Sequence, residues 1–355
     1  MLTGPQVIVV ATPAFLALIG LEAWFAHRRG LRVYRLNDAL SSIGLGMMSQ
    51  VLVLFATLFT IGLYTGAVER LALFELSASS PWVWLGALIG YDLCYYGLHR
   101  GGHRVAVLWA AHAVHHQSED YNLSTALRQT STGFLFGWLF YLPLAVAGVP
   151  PLVFASVALI DLLYQFWVHT QLVGRLGWFD RWFCSPSNHR VHHAVNDRYL
   201  DKNYGGILIV WDRLFGTFAE EDDAEPCVYG TRSALRSWNP VASNAQVYRQ
   251  LLADSAQATR WADKLRVWLE PPGWRPADVA ARFPRAAFSI DGVRRFDPPL
   301  SRARGAGAVA LFTGALVVAT LLLWHGPTWP AAVATGAAAV VVAALWGVAR
   351  LTTPR

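Results

Sequence analysis

Apolar residues run in stretches of about 20, the length that crosses a hydrocarbon core of about 30 Å. They lie near 7–26, 41–66, 80–98, 131–149, 150–168, 305–325 and 328–349. Between about 171 and 300 the pattern turns polar, with Ser, Asn, Asp, Arg and Pro frequent. It predicts an all-α integral membrane protein: a multi-helix transmembrane bundle with a cytoplasmic helical cap built from 171–300. Three parts follow, an N-terminal span with its basic loop (1–40), a membrane domain (41–300) and a C-terminal pair of transmembrane helices (301–355). Gln246 to Leu269 alternates at helical spacing and predicts one helix in the cap, stopped by Pro271-Pro272-Gly273. Pro143, Pro150 and Pro151 leave 131–168 readable as two crossings or as a re-entrant hairpin. The first stretch has no small-residue cleavage site after a short apolar core, so it reads as a retained span.

Charge orients the bundle. Arg28, Arg29, Arg32 and Arg35 follow the first span, Arg302 and Arg304 precede the sixth, and Arg350 and Arg355 follow the seventh. The positive-inside rule puts all of these loops in the cytoplasm, and a bacterial inner membrane is the expected setting. The formal net charge of +6 fits that bias and an anionic lipid surface, and no interleaved basic and aromatic residues suggest a nucleic-acid partner. Cys94, Cys184 and Cys227 imply no disulfide framework.

Chemistry is concentrated between residues 99 and 193, which hold nine of the eleven histidines. They are spaced as His99-x3-His103, His112-x2-His115-His116 and His189-x2-His192-His193, with His169 between. On helices, positions i, i+3 and i+4 share a face, so each box offers several imidazoles to one point. Unpaired clustered imidazoles repel when protonated and lose solvation when buried, so the grouping points to metal. Eight or nine imidazoles exceed the four to six positions of one ion, and two ions are expected at the cytoplasmic membrane surface. His27 and His325 stand outside the boxes and read as surface or hydrogen-bonded core residues and not as ligands.

The order of the boxes, with apolar spans before and between, resembles the fatty acid hydroxylase and sterol desaturase superfamily. The run from His112 to Gln129, Asn188 to His193, Asp201 to Gly206, Trp211 to Thr217, Ser237 to Pro240 and Trp261 to Leu265 are similar to its alkylglycerol monooxygenase branch, over about residues 40–290. That resemblance implies two iron ions, molecular oxygen and a membrane lipid substrate. One oxygen atom would enter an unactivated C–H bond, next to an ether oxygen in an alkylglycerol. It implies tetrahydrobiopterin or a separate electron-transfer protein as reductant, since the chain has no His-Pro-Gly-Gly haem segment. A sterol or fatty-acyl desaturase or hydroxylase is the neighbouring alternative. A histidine-rich metal-binding or transport protein, or a bis-histidine haem protein, is the alternative of another class.

Four further residues are site candidates, and Asp161 is weighed beside them. Asp92 shares a helical stripe with Tyr95, Tyr96, His99 and His103 and is expected to orient a ligating imidazole. Gln165 stands one turn before His169, where related hydroxylases have a second histidine, and is expected as a weak ligand or as the partner of a metal-bound water. Glu119 and Asn196 flank boxes and are expected to touch the ions or their ligands. Asp161, two turns before His169 in an apolar stretch, is costly unless it faces that site.

Overall fold

A computed structural model of the chain describes residues 3–56 and 58–353, without the side chain of Leu58. Arg355, one of the orienting charges, lies outside the described residues, as do the first two residues and Pro354. The membrane part begins with α1 (Gly4–Arg28), α2 (Leu36–Val53), α3 (Leu63–Leu71) and α4 (Pro81–Arg104). Short helices α5 (Ala106–Ala110), α6 (Ala113–His116) and α7 (Leu123–Ala126) lead to the hairpin α8 (Phe134–Val146) and α9 (Pro151–Trp167). The cap holds α10 (Phe179–Trp182), α11 (Pro186–His193), α12 (Val210–Leu214), α13 (Pro240–Gln257), α14 (Trp261–Leu269) and α15 (Ala277–Arg282). The chain closes with α16 (Arg302–His325) and α17 (Ala331–Thr352). Among the described residues the only extended pairings are two isolated bridges, Phe183 with Leu208 and Ala194 with Tyr229.

Among the described residues, three helical segments are long and apolar enough to cross a membrane: Gly4–Arg28, Arg302–Thr328 and Ala331–Thr352. The stretch 41–66 is not one span. α2 stops at Val53, and a five-residue π turn, Leu58–Gly62, precedes α3. It reads as apolar because it is interior: Leu45, Met48 and Val51 pack against Phe312, Leu322 and Leu345. The buried hydroxyls of Ser41 and Ser42 meet the guanidinium of Arg128. The stretches 131–149 and 150–168 condense to helices of 13 and 17 residues. At 1.5 Å per residue these reach about 20 and 25 Å, short of a crossing, so the hairpin reading fits better. It packs on α3 and α4 through Tyr64 stacked on Phe154 and Tyr91 stacked on Tyr141. The helix expected over 246–269 is two, because Ala258 is extended and Asp278 accepts both the backbone N–H and the hydroxyl of Thr259.

The arginine-bearing ends gather at the cap. Arg35 ion-pairs with Asp120 at 2.8 Å and donates to the Phe296 carbonyl, while Arg304 donates to the Arg350 carbonyl at 3.0 Å. Glu22, buried near the cap end of α1, accepts from the Leu123 backbone at 2.7 Å and from the hydroxyls of Tyr34 and Thr170. The first span is thereby tied to the segment that follows His169.

Candidate metal centre

The eight boxed histidines and His169 converge. α4 presents His99 and His103 from one face, both buried. His112 is the N-cap of α6, which is just long enough to carry His115 and His116. α11 presents His189, His192 and His193, its start fixed by Pro186 and by the Ser185 hydroxyl accepting from the Asn188 N–H. Arg190, between these ligand candidates, ion-pairs with Glu221 and donates to the carbonyls of Thr170 and Val173. His169 follows α9 by two residues.

Their ring nitrogens form two groups, each with all atoms within 4.8 Å of one another. One holds His99, His103, His112, His116 and His192, the other His115, His169, His189 and His193. His116 and His193 stack at 4.3 Å between ring centres, which makes the groups neighbours.

Burial holds these imidazoles neutral. It pushes His112, His116, His169, His189, His192 and His193 below the ordinary histidine range, and His115 down to about 4. Backbone carbonyls then fix the tautomers. Nδ1 of His99 donates to Tyr204 at 2.8 Å, of His192 to Lys202 at 3.0 Å, of His115 to Arg128 at 2.8 Å and of His169 to Gln165 at 2.7 Å. A carbonyl only accepts, so each Nδ1 carries the proton and each Nε2 is a bare lone pair. Nε2 of His99 and His192 is buried without a hydrogen-bond partner. Nε2 of His115 and His169 stand 3.2 Å apart, two acceptors with no proton between them.

A cation resolves this arrangement. Nitrogens about 2.1 Å from one ion stand about 3.0 to 3.4 Å from each other in octahedral or tetrahedral sets. The closest Nε2 pairs here, His103–His116, His112–His116, His115–His169, His169–His189 and His189–His193, are 3.1–3.2 Å apart. Each group can hold a metal ion, and imidazole-rich sets of this kind suit iron, zinc or copper.

The four other candidates take different places. Asp92 does not orient a histidine: its carboxylate accepts from the N–H groups of Ile207 (2.7 Å), Leu208 (3.0 Å) and the Trp211 indole (2.8 Å). Helical spacing put it on the right face, but a returning loop reaches it first. Glu119 turns toward the Phe296 N–H (2.6 Å) and Arg35 (3.8 Å), and Asn196 toward Glu225, Pro226 and Val228. Both therefore brace the cap and do not touch the ring nitrogens. The Gln165 side chain is engaged by Tyr95 (2.6 Å) and Asp161 (2.6 Å), and it is its carbonyl that holds His169. Asp161 is 2% exposed, and its Oδ1 has no partner.

Sequence reasoning missed the residues that hold the rings in place. Asp212 accepts from the backbones of Tyr204 (2.8 Å) and Gly205 (2.7 Å) and from the Thr217 hydroxyl (2.6 Å). This shapes the loop whose carbonyl holds His99, and burial pushes the Asp212 carboxyl up to about 6. Arg128 is fully buried, and its carbonyl holds His115. Both lie within sequence runs singled out above, so position was the available signal.

A cavity of about 360 Å³ opens on His99, His112, His115 and His169. Its other walls are mostly apolar and come from α1, α2, α4, α8, α9 and α16.

The sequence model of the fatty acid hydroxylase family matches residues 84–217, the segment that carries all nine histidines. The chain is 41% identical over 280 residues to alkylglycerol monooxygenase of Homo sapiens, covering 77% of this chain and 61% of that protein. It is 40% identical over 274 residues to alkylglycerol monooxygenase of Danio rerio, covering 77% and 60%. It is also 31% identical over 135 residues to an ornithine lipid hydroxylase of Rhizobium tropici, covering 37% and 41%. The chain thus spans about three fifths of the length of the vertebrate relatives it matches. No solved structure matches it. With the histidine boxes inside the matched segment and identity extending well beyond it, the chain belongs to the fatty acid hydroxylase family.

Proposed function

We propose that this chain is a non-haem di-iron lipid monooxygenase, with one iron in each histidine group. Its substrate is a membrane lipid hydroxylated on its alkyl chain, at the ether-adjacent carbon of an alkylglycerol. The observation that carries the reading is the meeting of two imidazole groups with a mostly apolar cavity at one end of a membrane bundle. A metal transporter would space its ligands along a path through the spans, whereas these gather at one place.

Iron supplies redox chemistry for dioxygen and for an aliphatic C–H bond, which redox-silent zinc cannot. One oxygen atom of dioxygen enters the lipid and the other leaves as water, with two electrons and two protons from the reductant. The protein's own part is to hold and exclude. Carbonyls of Arg128, Gln165, Lys202 and Tyr204 hold the Nδ1 protons so that Nε2 faces inward. The apolar walls keep water from the reacting carbon and admit a hydrocarbon chain from the bilayer. The arginines gathered around the cap support a cytoplasmic active face, where a reduced pterin or an electron-transfer protein can reach it.

The test is turnover of a 1-O-alkylglycerol by the purified protein with a reduced pterin and isotopically labelled dioxygen. Hydroxylation at the ether-adjacent carbon gives a hemiacetal whose C–O bond to glycerol then breaks, so fatty aldehyde and glycerol are the expected products, the aldehyde oxygen read before exchange with water. Labelled acyl or sterol product with ether lipid untouched would keep the mechanism and discard the substrate. A new double bond without label would refute monooxygenation.

A further inference from the structure

The metal centre occupies one end of the cavity only. From the histidines the walls run away from the cap between two of the membrane-crossing helices. α1 contributes Ile8, Thr12 and Leu16 to the lining, and α16 contributes Leu316, Thr320 and Leu323. Each set recurs at intervals of three or four residues, which places it on a single helix face. The helices are antiparallel: the Gln6 side chain donates to the Trp324 carbonyl at 3.3 Å at the far end. At the metal end the Phe15 ring stands 4.5 Å from Phe166, three residues before His169. Thr12 turns its hydroxyl back to the Ile8 carbonyl, leaving its wall apolar. At 1.5 Å per residue, Leu316 to Leu323 cover about 10 Å of depth. α16 lies outside the matched family segment, so this wall belongs to the C-terminal pair whose purpose the sequence leaves open.

We propose that the alkyl chain of the lipid lies between α1 and α16, and that Leu316, Thr320 and Leu323 set the chain length the protein accepts. The inference rests on the lipid monooxygenase reading. The last hairpin is therefore part of the substrate site as well as a membrane anchor. Each methylene that loses its place should cost about fourfold in kcat/KM, equivalent to about 0.8 kcal/mol.

The experiment uses the full chain in lipid nanodiscs with 1-O-alkylglycerols of graded length. Thr320→Phe should lower kcat/KM at least tenfold for the longest chains and less than twofold for the shortest, and Leu323→Ala should move the preference toward longer chains. Equal loss at every length would overturn the proposal. A second readout needs no turnover. Thr320→Cys, measured above the background of Cys94, Cys184 and Cys227, should be shielded from maleimide by long-chain but not short-chain alkylglycerol. Shielding without turnover would uphold the chain site and retire the ether-lipid reaction alone. No shielding at any length would overturn the site.

Discussion

Arg128 grips the His115 box from two sides. Its carbonyl accepts the His115 Nδ1 proton at 2.8 Å, and its guanidinium donates to the carbonyl of Val114, the preceding residue, at 2.8 Å. The same guanidinium reaches Ser41, Ser42 and Gln117, so one fully buried cation ties α2 to the metal centre.

A lysine at that position keeps the charge but cannot reach these partners together. Arg128→Lys should lower stability by about 3 kcal/mol, from hydrogen bonds to a charged group worth roughly 1.5–3 kcal/mol each. It should also reduce metal bound by the His115 group. Thermal unfolding and metal analysis of the purified variant would show both, and wild-type values in the two would remove Arg128 from its positioning role.

The two groups should empty separately. His192→Ala removes a member of the five-histidine group and His169→Ala one of the four. Each should take bound iron from about two per chain to about one and abolish turnover while leaving membrane insertion intact. His325→Ala, outside both groups, should match wild type. Retention of two irons with full activity in either boxed variant would return that histidine to a structural role.

Gly206 is a place where no side chain fits. A Cβ there would stand 2.7 Å from Asp161 Oδ1, 2.8 Å from the Tyr95 ring and 3.0 Å from Asp92 Oδ1. Gly206→Ala should cost about 1–3 kcal/mol by overpacking. Because Gly206 is two residues from the carbonyl that holds His99, iron in the five-histidine group should fall as well. Gly174→Ala meets nothing within 4 Å and serves as the silent control. Equal metal content in the two variants would show that the loop tolerates the displacement.

The face of the membrane on which the cap lies is open to a labelling measurement. The Asp223 side chain is 90% exposed, so a cysteine in its place is reachable by reagent. Asp223→Cys should react with an impermeant maleimide only after the membrane is opened. Labelling in intact cells would reverse the orientation.

Much of the centre was legible because metal ligation imposes short-range order: a helix puts i, i+3 and i+4 together, and each box declares itself locally. The two long C-terminal spans were legible for a similar reason, since a lipid-facing helix is apolar all round. Local pattern fails where an apolar run is interior to the protein. That is why 41–66 reads as a span yet contains the break between α2 and the turn at Leu58–Gly62. It also fails for carboxylates, whose partners are chosen by loops that return from far along the chain. Asp92 is claimed by backbone groups 115 and 116 residues away. Glu119 meets Phe296 across 177 residues, a pairing that no periodicity announces.

The four carbonyls that fix the imidazole tautomers belong to residues 128, 165, 202 and 204. This has a consequence for biogenesis. A chain still emerging from the ribosome has its first two boxes long before Tyr204 exists, and until the loop beyond α11 has closed, His99 and His192 lack the contacts that aim them. On the proposed di-iron reading, iron loading would then be a late maturation step, performed on a polypeptide already threaded and folded. The cell's iron supply would then set the fraction of finished molecules that work, and not the number that are made.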